Sequence, residues 1–264
     1  MMIPKIIHCV WLSGDEKPQL YRDCIESWKN AMPDYHIMEW NLDMFQEDVP
    51  WVREACACKK WAYATDYIRL YALYHHGGIY MDMDVVAFKS FDPFLKHGAF
   101  SCVEFHPDSF YRTFYRKEPV GLGIEAAVLG AVKHHPWIAE LMDYYHGRHF
   151  INKAAYLMQH IMPSVLTRVS KGYGFKLIPI YQQLREDVHL YPPDTFSSVY
   201  GFSMEKLEEL KTIYSHHPVR WAMHLCAHGW WDEQYAPFWK RMLIKCLGRS
   251  GIAKIKNILT GNKI

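Results

Sequence analysis

Asp82 and Asp84 stand one residue apart in "GIYMDMDVV", at the end of an apolar segment. Residues two apart on a strand share a face. The spacing therefore predicts two carboxylates side by side, with Met81 and Met83 turned the other way. Two acids this close in a partly dry site repel, and one is pushed toward protonation unless a cation lies between them. Carboxylate oxygens suit hard cations such as Mg²⁺ or Mn²⁺, whose shells are commonly completed by substrate phosphates. A diphosphate leaving group fits such an ion, which neutralises the charge developing as it departs. For the pair alone, a strand end turned to solvent is the alternative. Upstream, Asp66 and Arg69 lie three apart in "WAYATDYIRLYALYH", so on a helix they share a face. Arginine offers a fork for phosphate or for a fixed carboxylate, and a surface ion pair is the alternative there.

The elements that must position these groups follow from periodicity. "KIIHCVW" (5–11) and "YHIMEW" (35–40) read as strands, with a helix between them that Pro33 ends. A helix over 61–75 stops at Gly77–Gly78, and "GIYMDMDVVAF" is a strand carrying the aspartates. "GAFSCVEF", "IEAAVLGAV", "FKLIPI" and "RWAMHLCAH" are further expected strands. "HPWIAELMDYYH" and 153–170 are expected helices, and "HLYPPDTFSS" an irregular edge. The alternation favours an α/β domain with a mixed, mostly parallel central sheet. Ligands in such sheets bind at the carboxyl ends of the strands, where the Asp pair falls.

The 264 residues are half apolar and 16% aromatic, enough for a large core and against disorder. No apolar run is long enough to span a bilayer, and the amino-terminal residues lack a signal-peptide layout. Seven scattered cysteines without a CxxC favour reduced thiols and a cytoplasmic setting. The net charge is +2, yet 238–264 holds seven basic and no acidic residues, so the first 237 carry −5. We therefore expect a domain over 1–237 and a basic, amphipathic helical tail over 238–264. The tail is suited to an anionic membrane surface or to packing on its own domain. P-loop and dinucleotide fingerprints are absent, so a nucleotide would be gripped otherwise, for instance by an aromatic ending the first strand.

"IPKIIHCVWLSG" together with "WAYATDYIRLYALYHHGGIYMDMDVV" (61–86) resembles the glycosyltransferases with a DXD sugar-binding motif. These are similar to the yeast initiating α-1,6-mannosyltransferase, α-1,4-galactosyltransferases, bacterial polysaccharide enzymes and the core of the clostridial glucosylating toxins. The likeness covers about the first 90 residues closely and continues more weakly in "GIEAAVLGAVKHHPWI", "YPPDTFSS" and "MHLCAHGWW". It implies a GT-A type, Rossmann-like fold, a nucleotide-sugar donor, a divalent ion (Mn²⁺, or Mg²⁺) and retention of anomeric configuration. It also implies that Trp11 stacks on the base beside the first-strand backbone at Val10, that Asp66 binds hydroxyls of the donor sugar and Arg69 the sugar or diphosphate, and that Tyr80 lines the pocket. Asp82 would contact ribose, sugar and metal-bound water, and Asp84 the metal. The chain departs from the family where His228–Gly229 and Trp230 follow His224, and where Glu125 replaces an asparagine. His224 or His228 would serve as a late metal ligand or a diphosphate contact, Trp230 would close over the diphosphate or belong to the core, and Glu125 would face the sugar or acceptor.

The expected function is retaining transfer of a hexose from a nucleotide-sugar, UDP-hexose before GDP-mannose, to a glycan or lipid-linked acceptor. The expected setting is surface or capsular polysaccharide synthesis at the inner face of a bacterial membrane, without nucleic acid. A metal-dependent nucleotidyltransferase or phosphohydrolase and a non-catalytic sugar-nucleotide-binding module are the competing readings.

Overall fold

A computed structural model of the chain describes residues 1–107, 121–199 and 207–227. The calls on Trp230, His228 and the 238–264 tail lie outside these residues. The first half alternates as its periodicity demands: β1 (Ile6–Val10), α1 (Gln19–Ala31), β2 (His36–Trp40), α2 (Pro50–Ala57), α3 (Trp61–His76) and β3 (Gly78–Met81). Strands β4 (Val85–Ala87), β5 (Ala99–Phe105), β6 (Leu122–Ile124) and β7 (Val128–Ala131) follow. Next come α4 (Pro136–Asp143), α5 (Ala154–His160), α6 (Met162–Gly172), β8 (Gln182–Leu184), β9 (Val188–Tyr191), α7 (Leu207–Ser215) and β10 (Ala222–His224).

The main sheet has the order β2-β1-β3-β7-β5-β9-β8, with β6 paired to β5. Pairings β1–β2, β1–β3 and β5–β9 are parallel, and β7, β8 and β6 run against their neighbours. Five of its eight strands thus point one way, the expected mixed, mostly parallel α/β arrangement. Two cores lie on its faces. Ile7, Cys9, Ile79 and Met81 pack with Trp28 of α1 on one side. Tyr80 packs with Ile68 and Leu73 of α3 on the other, as strand alternation requires.

The "HHGG" break closes α3 and starts β3. Gly77 has φ 66° and its N–H donates to the Leu73 carbonyl. Gly78 has φ 112°, and a Cβ there would stand 2.7 Å from the Ile6 carbonyl oxygen. Only glycine meets both demands at this crossing of α3, β1 and β3.

Several sequence expectations are corrected. Asp82 and Asp84 are not on one strand: β3 ends at Met81 and β4 begins at Val85, with the Val85 N–H donating to the Asp82 carbonyl across a tight turn. β4 leaves the main sheet to pair antiparallel with β10, and Trp28 Nε1 of α1 donates to its Val85 carbonyl. "IEAAVLGAV" divides into the end of β6 and β7, with Glu125 in the break, and 153–170 divides at Ile161 into α5 and α6. "FKLIPI" forms no strand; Ile178 and Ile180 are partly exposed there, and β8 follows it. "HLY" is no irregular edge, since β9 pairs with β5 on one side and β8 on the other. Its polar His189 disguised a central strand.

Candidate active site

Helix α3 brings Asp66 and Arg69 to the carboxyl end of β3. Both are buried, at 6% and 4% exposure, which removes the surface ion pair as an explanation. Arg69 Nη2 lies 3.1 Å from Asp66 Oδ1, and Nη1 lies 3.4 Å from Asp82 Oδ1. Nη1 also donates to the Ala126 carbonyl at 2.8 Å, and the guanidinium carbon sits 4.4 Å from the centroid of the Tyr80 ring. The Tyr80 hydroxyl donates to Asp82 Oδ1 at 2.5 Å. One cation thus holds Asp66, Asp82 and the β6–β7 break together.

Asp84 lies across the turn, with a carboxylate oxygen within 4.8 Å of one from Asp82. Its Oδ2 accepts the Ala227 N–H at 2.7 Å, its carbonyl accepts the Leu225 N–H, and its Oδ1 lies 3.5 Å from His224 Nε2. The β4–β10 ladder puts His224 opposite Val85. His224 Nδ1 in turn lies 3.2 Å from Glu125 Oε1. Glu125, 2% exposed, accepts the Ala126 and Ala127 amides at Oε1 and the Ser197 hydroxyl at Oε2, 2.7 Å away.

These neighbours set the charges. Burial raises the Asp82 carboxyl above its ordinary value, with Arg69 opposing and Asp84 adding to the rise. Asp84 is lowered, because His224 and the Ala227 amide overcome burial. Burial also lifts Asp66, to about 7, against the pull of Arg69. Glu125 is held down to about 2 despite its burial, by His224, the Ser197 hydroxyl and the Ala127 amide. Burial disfavours the His224 cation, yet Asp84 and Glu125 hold its pKa well above the usual range.

A divalent ion suits this donor set. One ligand atom each from Asp82, Asp84 and His224 lies within 4.8 Å of the others. Two carboxylates and an imidazole are ligands that Mn²⁺ accepts. Asp84 adds to the rise of Asp82, a repulsion that an ion between the two carboxylates would relieve.

Of the remaining candidates, Val10 is buried in the core, while Trp11 is half-buried just past β1 and donates from Nε1 to the Asp15 carbonyl. Its indole meets Tyr21 edge-on, with centroids 5.6 Å apart. Tyr21, unnoticed in the sequence, is raised by burial and then by the charges of Asp84 and Asp82. Ser197 and Tyr145 were also missed. Tyr145 is buried, with a hydroxyl lacking a hydrogen-bond partner among the described residues, and it feels the charges of Asp66 and Arg69. No spacing rule connects residues 21, 145 and 197 to a motif at 82–84; only the fold does.

Residues 18–101 match the family model described as the glycosyltransferase sugar-binding region containing the DXD motif, which bears out the resemblance read in "DYIRLYALYHHGGIYMDMD". Mannosyl phosphorylinositol ceramide synthase SUR1 of Saccharomyces cerevisiae is 23% identical, over 81% of this chain and 56% of its own. Inositol phosphoceramide mannosyltransferase 2 of Schizosaccharomyces pombe is 30% identical, over 52% of this chain and 36% of its own. The chain thus spans about half or less of these relatives. Among solved structures, the PaToxG glycosyltransferase aligns with TM-score 0.49 and 18% identity, covering 65% of this chain and 70% of its own. The galactosyltransferase LgtC, solved with donor and acceptor sugar analogues, aligns with TM-score 0.47 and 13% identity, covering 84% and 87%.

Proposed function

We propose, from the premise that residues 18–101 are a glycosyltransferase sugar-binding region with a DXD motif, that this protein transfers a hexose from a nucleotide-sugar to a glycan or lipid-linked acceptor. The observation that carries the reading is the single connected cluster of Asp66, Arg69, Tyr80, Asp82, Asp84 and His224 at the carboxyl end of the parallel strands. In this reading Asp84, His224 and Asp82 hold Mn²⁺ or Mg²⁺, which supplies charge neutralisation for the departing diphosphate. Trp11 stacks on the base, with Tyr21 behind it. Asp66 accepts hydrogen bonds from hydroxyls of the donor sugar, and Arg69 keeps Asp66 and Asp82 in register.

Glu125 is too fully engaged to attack a sugar carbon. Both its oxygens accept hydrogen bonds, and Oε1 also faces His224. We assign it instead to orienting His224, as carboxylates behind ligating histidines commonly do. Transfer then proceeds on one face of the sugar with retention. The bond from C1 to the diphosphate oxygen breaks, the acceptor oxygen bonds C1 from the same side, and its proton passes to the leaving diphosphate. UDP-hexoses and GDP-mannose are the candidate donors, and the relatives named as mannosyltransferases give support to mannose and to a lipid headgroup acceptor. Among the described residues no helix is long and apolar enough to cross a membrane. We assign the approach to a bacterial inner-membrane face to the basic tail.

The test is donor binding by calorimetry with a panel of UDP- and GDP-sugars, with and without Mn²⁺, on wild type and Asp84→Asn. Mn²⁺-dependent binding of one nucleotide-sugar, lost in the variant, is expected. Folded protein that binds none of them with metal present would overturn the transferase reading.

A further inference from the structure

We propose that the protein carries a second divalent-metal site, for zinc, built from His97, Asp187 and His189 at the end of the sheet opposite Asp82 and Asp84. β5 and β9 run parallel to β3 through the pairings with β7. His97 and Asp187 precede β5 and β9, so they lie at the amino ends of strands whose carboxyl ends face the candidate active site. This site is independent of the transferase reading.

One ligand atom from each of the three residues lies within 4.8 Å of the others. His189 Nε2 stands 2.7 Å from Asp187 Oδ1, and the two imidazoles lie face to face, centroids 3.7 Å apart at 25°, so one ring turns for both to ligate the same ion. Each ring is steadied through a tyrosine hydroxyl. Tyr181 Oη is 2.7 Å from His189 Nδ1, and Tyr191 Oη is 2.8 Å from His97 Nε2. Ligating histidines commonly hydrogen-bond through the nitrogen that does not touch the metal. That leaves His189 Nε2, already facing the carboxylate, and the second nitrogen of His97 for an ion.

Asp187 is fixed as well, its Oδ2 accepting the Gly98 N–H at 2.6 Å. It sits in a β8–β9 turn where Glu186 and Asp187 have φ of 57° and 54°, a left-handed conformation that aspartate tolerates and glutamate adopts less readily. His135 Nε2 meets the Glu186 carbonyl at 2.8 Å and pins the turn. The Asp187 carboxylate, beside His189 Nε2, supplies the negative charge. Both histidines are buried, while the Asp187 side chain is 54% exposed, which gives an ion an entry and a water a fourth ligand position. Two imidazoles, one carboxylate and a water make a zinc-type donor set.

The experiment uses untagged full-length protein carrying Asp84→Asn, stripped with chelator. Co²⁺ is titrated with visible absorption as the readout, and Zn²⁺ then displaces it in calorimetry. One equivalent of each is expected, with the affinity falling by more than about 10-fold in His97→Asn and in His189→Asn. Folded protein that binds no Co²⁺ or Zn²⁺ would overturn the site and leave a closed hydrogen-bonded cluster. Binding that both substitutions leave unchanged would overturn it too. Where a histidine variant loses its far-UV circular dichroism, Asp187→Asn decides instead, since its exposed carboxylate is outside the core, and the same loss of affinity is required of it.

Discussion

Glu125 Oε1 stands 3.2 Å from Nδ1 of His224, with Nε2 of the same ring 3.5 Å from Asp84. The imidazole is thus clamped between the carboxylate of the DxD turn and one 41 residues further along the chain. The clamp ties the β4–β10 ribbon to the β6–β7 break of the main sheet, two pieces of the molecule that share no backbone ladder.

On the proposed assignment of His224 as a metal ligand steadied by Glu125, Glu125→Gln should weaken Mn²⁺ binding by roughly 10–100-fold. The glutamine oxygen still accepts the Ala126 and Ala127 amides, so the fold should persist. Paramagnetic titration of free Mn²⁺ reads the affinity and thermal melting reads the fold. A melting temperature lowered as much as in a core cavity variant, at unchanged Mn²⁺ affinity, would make Glu125 a purely structural residue.

Arg69 serves one buried carboxylate, one half-buried carboxylate and a backbone carbonyl. Arg69→Ala leaves Asp66 and Asp82 uncompensated and should cost about 3–5 kcal/mol of stability. Arg69→Lys keeps the charge but not the fork, so it should fall between the two. Urea unfolding of the three proteins gives the order directly, and equal midpoints would contradict it.

The carboxyl of Asp66, lifted to about 7 by burial, binds a proton more tightly folded than unfolded. Its contribution to stability is therefore full below about pH 4 and is lost as pH rises through 7. Asp66→Asn cannot titrate, so the stability gap between wild type and variant should narrow, or reverse, on going from pH 5 to pH 8. Denaturant melts at the two pH values measure it; a gap that widens would mean that Arg69, not burial, governs this group.

Gly78→Ala meets the Ile6 carbonyl oxygen at 2.7 Å and needs φ of 112°. Strain and clash together should cost at least about 2 kcal/mol. The damage lies one strand length from Asp82, so metal affinity in the surviving folded protein should be less affected than stability.

The periodicities of α1, α3, β1, β2 and β3 were legible because each buries a regular face against one neighbour. The "FKLIPI" and "HLY" segments misled for a reciprocal reason. An apolar run was left partly exposed before β8, and a histidine was buried on β9, one strand in from the edge of the mixed sheet, because Asp187 and Tyr181 satisfy its nitrogens.

Residue type and spacing by themselves determined the chemistry: two carboxylates around one methionine, a buried-type Asp–Arg pair one turn apart on a helix, and a Gly-Gly stop that no other residue pair satisfies. What they could not determine is which way the acids point. A period-two strand would set Asp82 and Asp84 on one face. Instead a turn separates the acids, so Asp82 pairs with Arg69 and Asp84 with His224 while their carboxylates stay within 4.8 Å of each other. That choice, and the arrival of Tyr21, Glu125, Ser197 and His224 at the same place, depends on contacts between residues far apart in sequence. Local patterning carries no record of such contacts, because their free energy is realised only when the two cores close on the sheet.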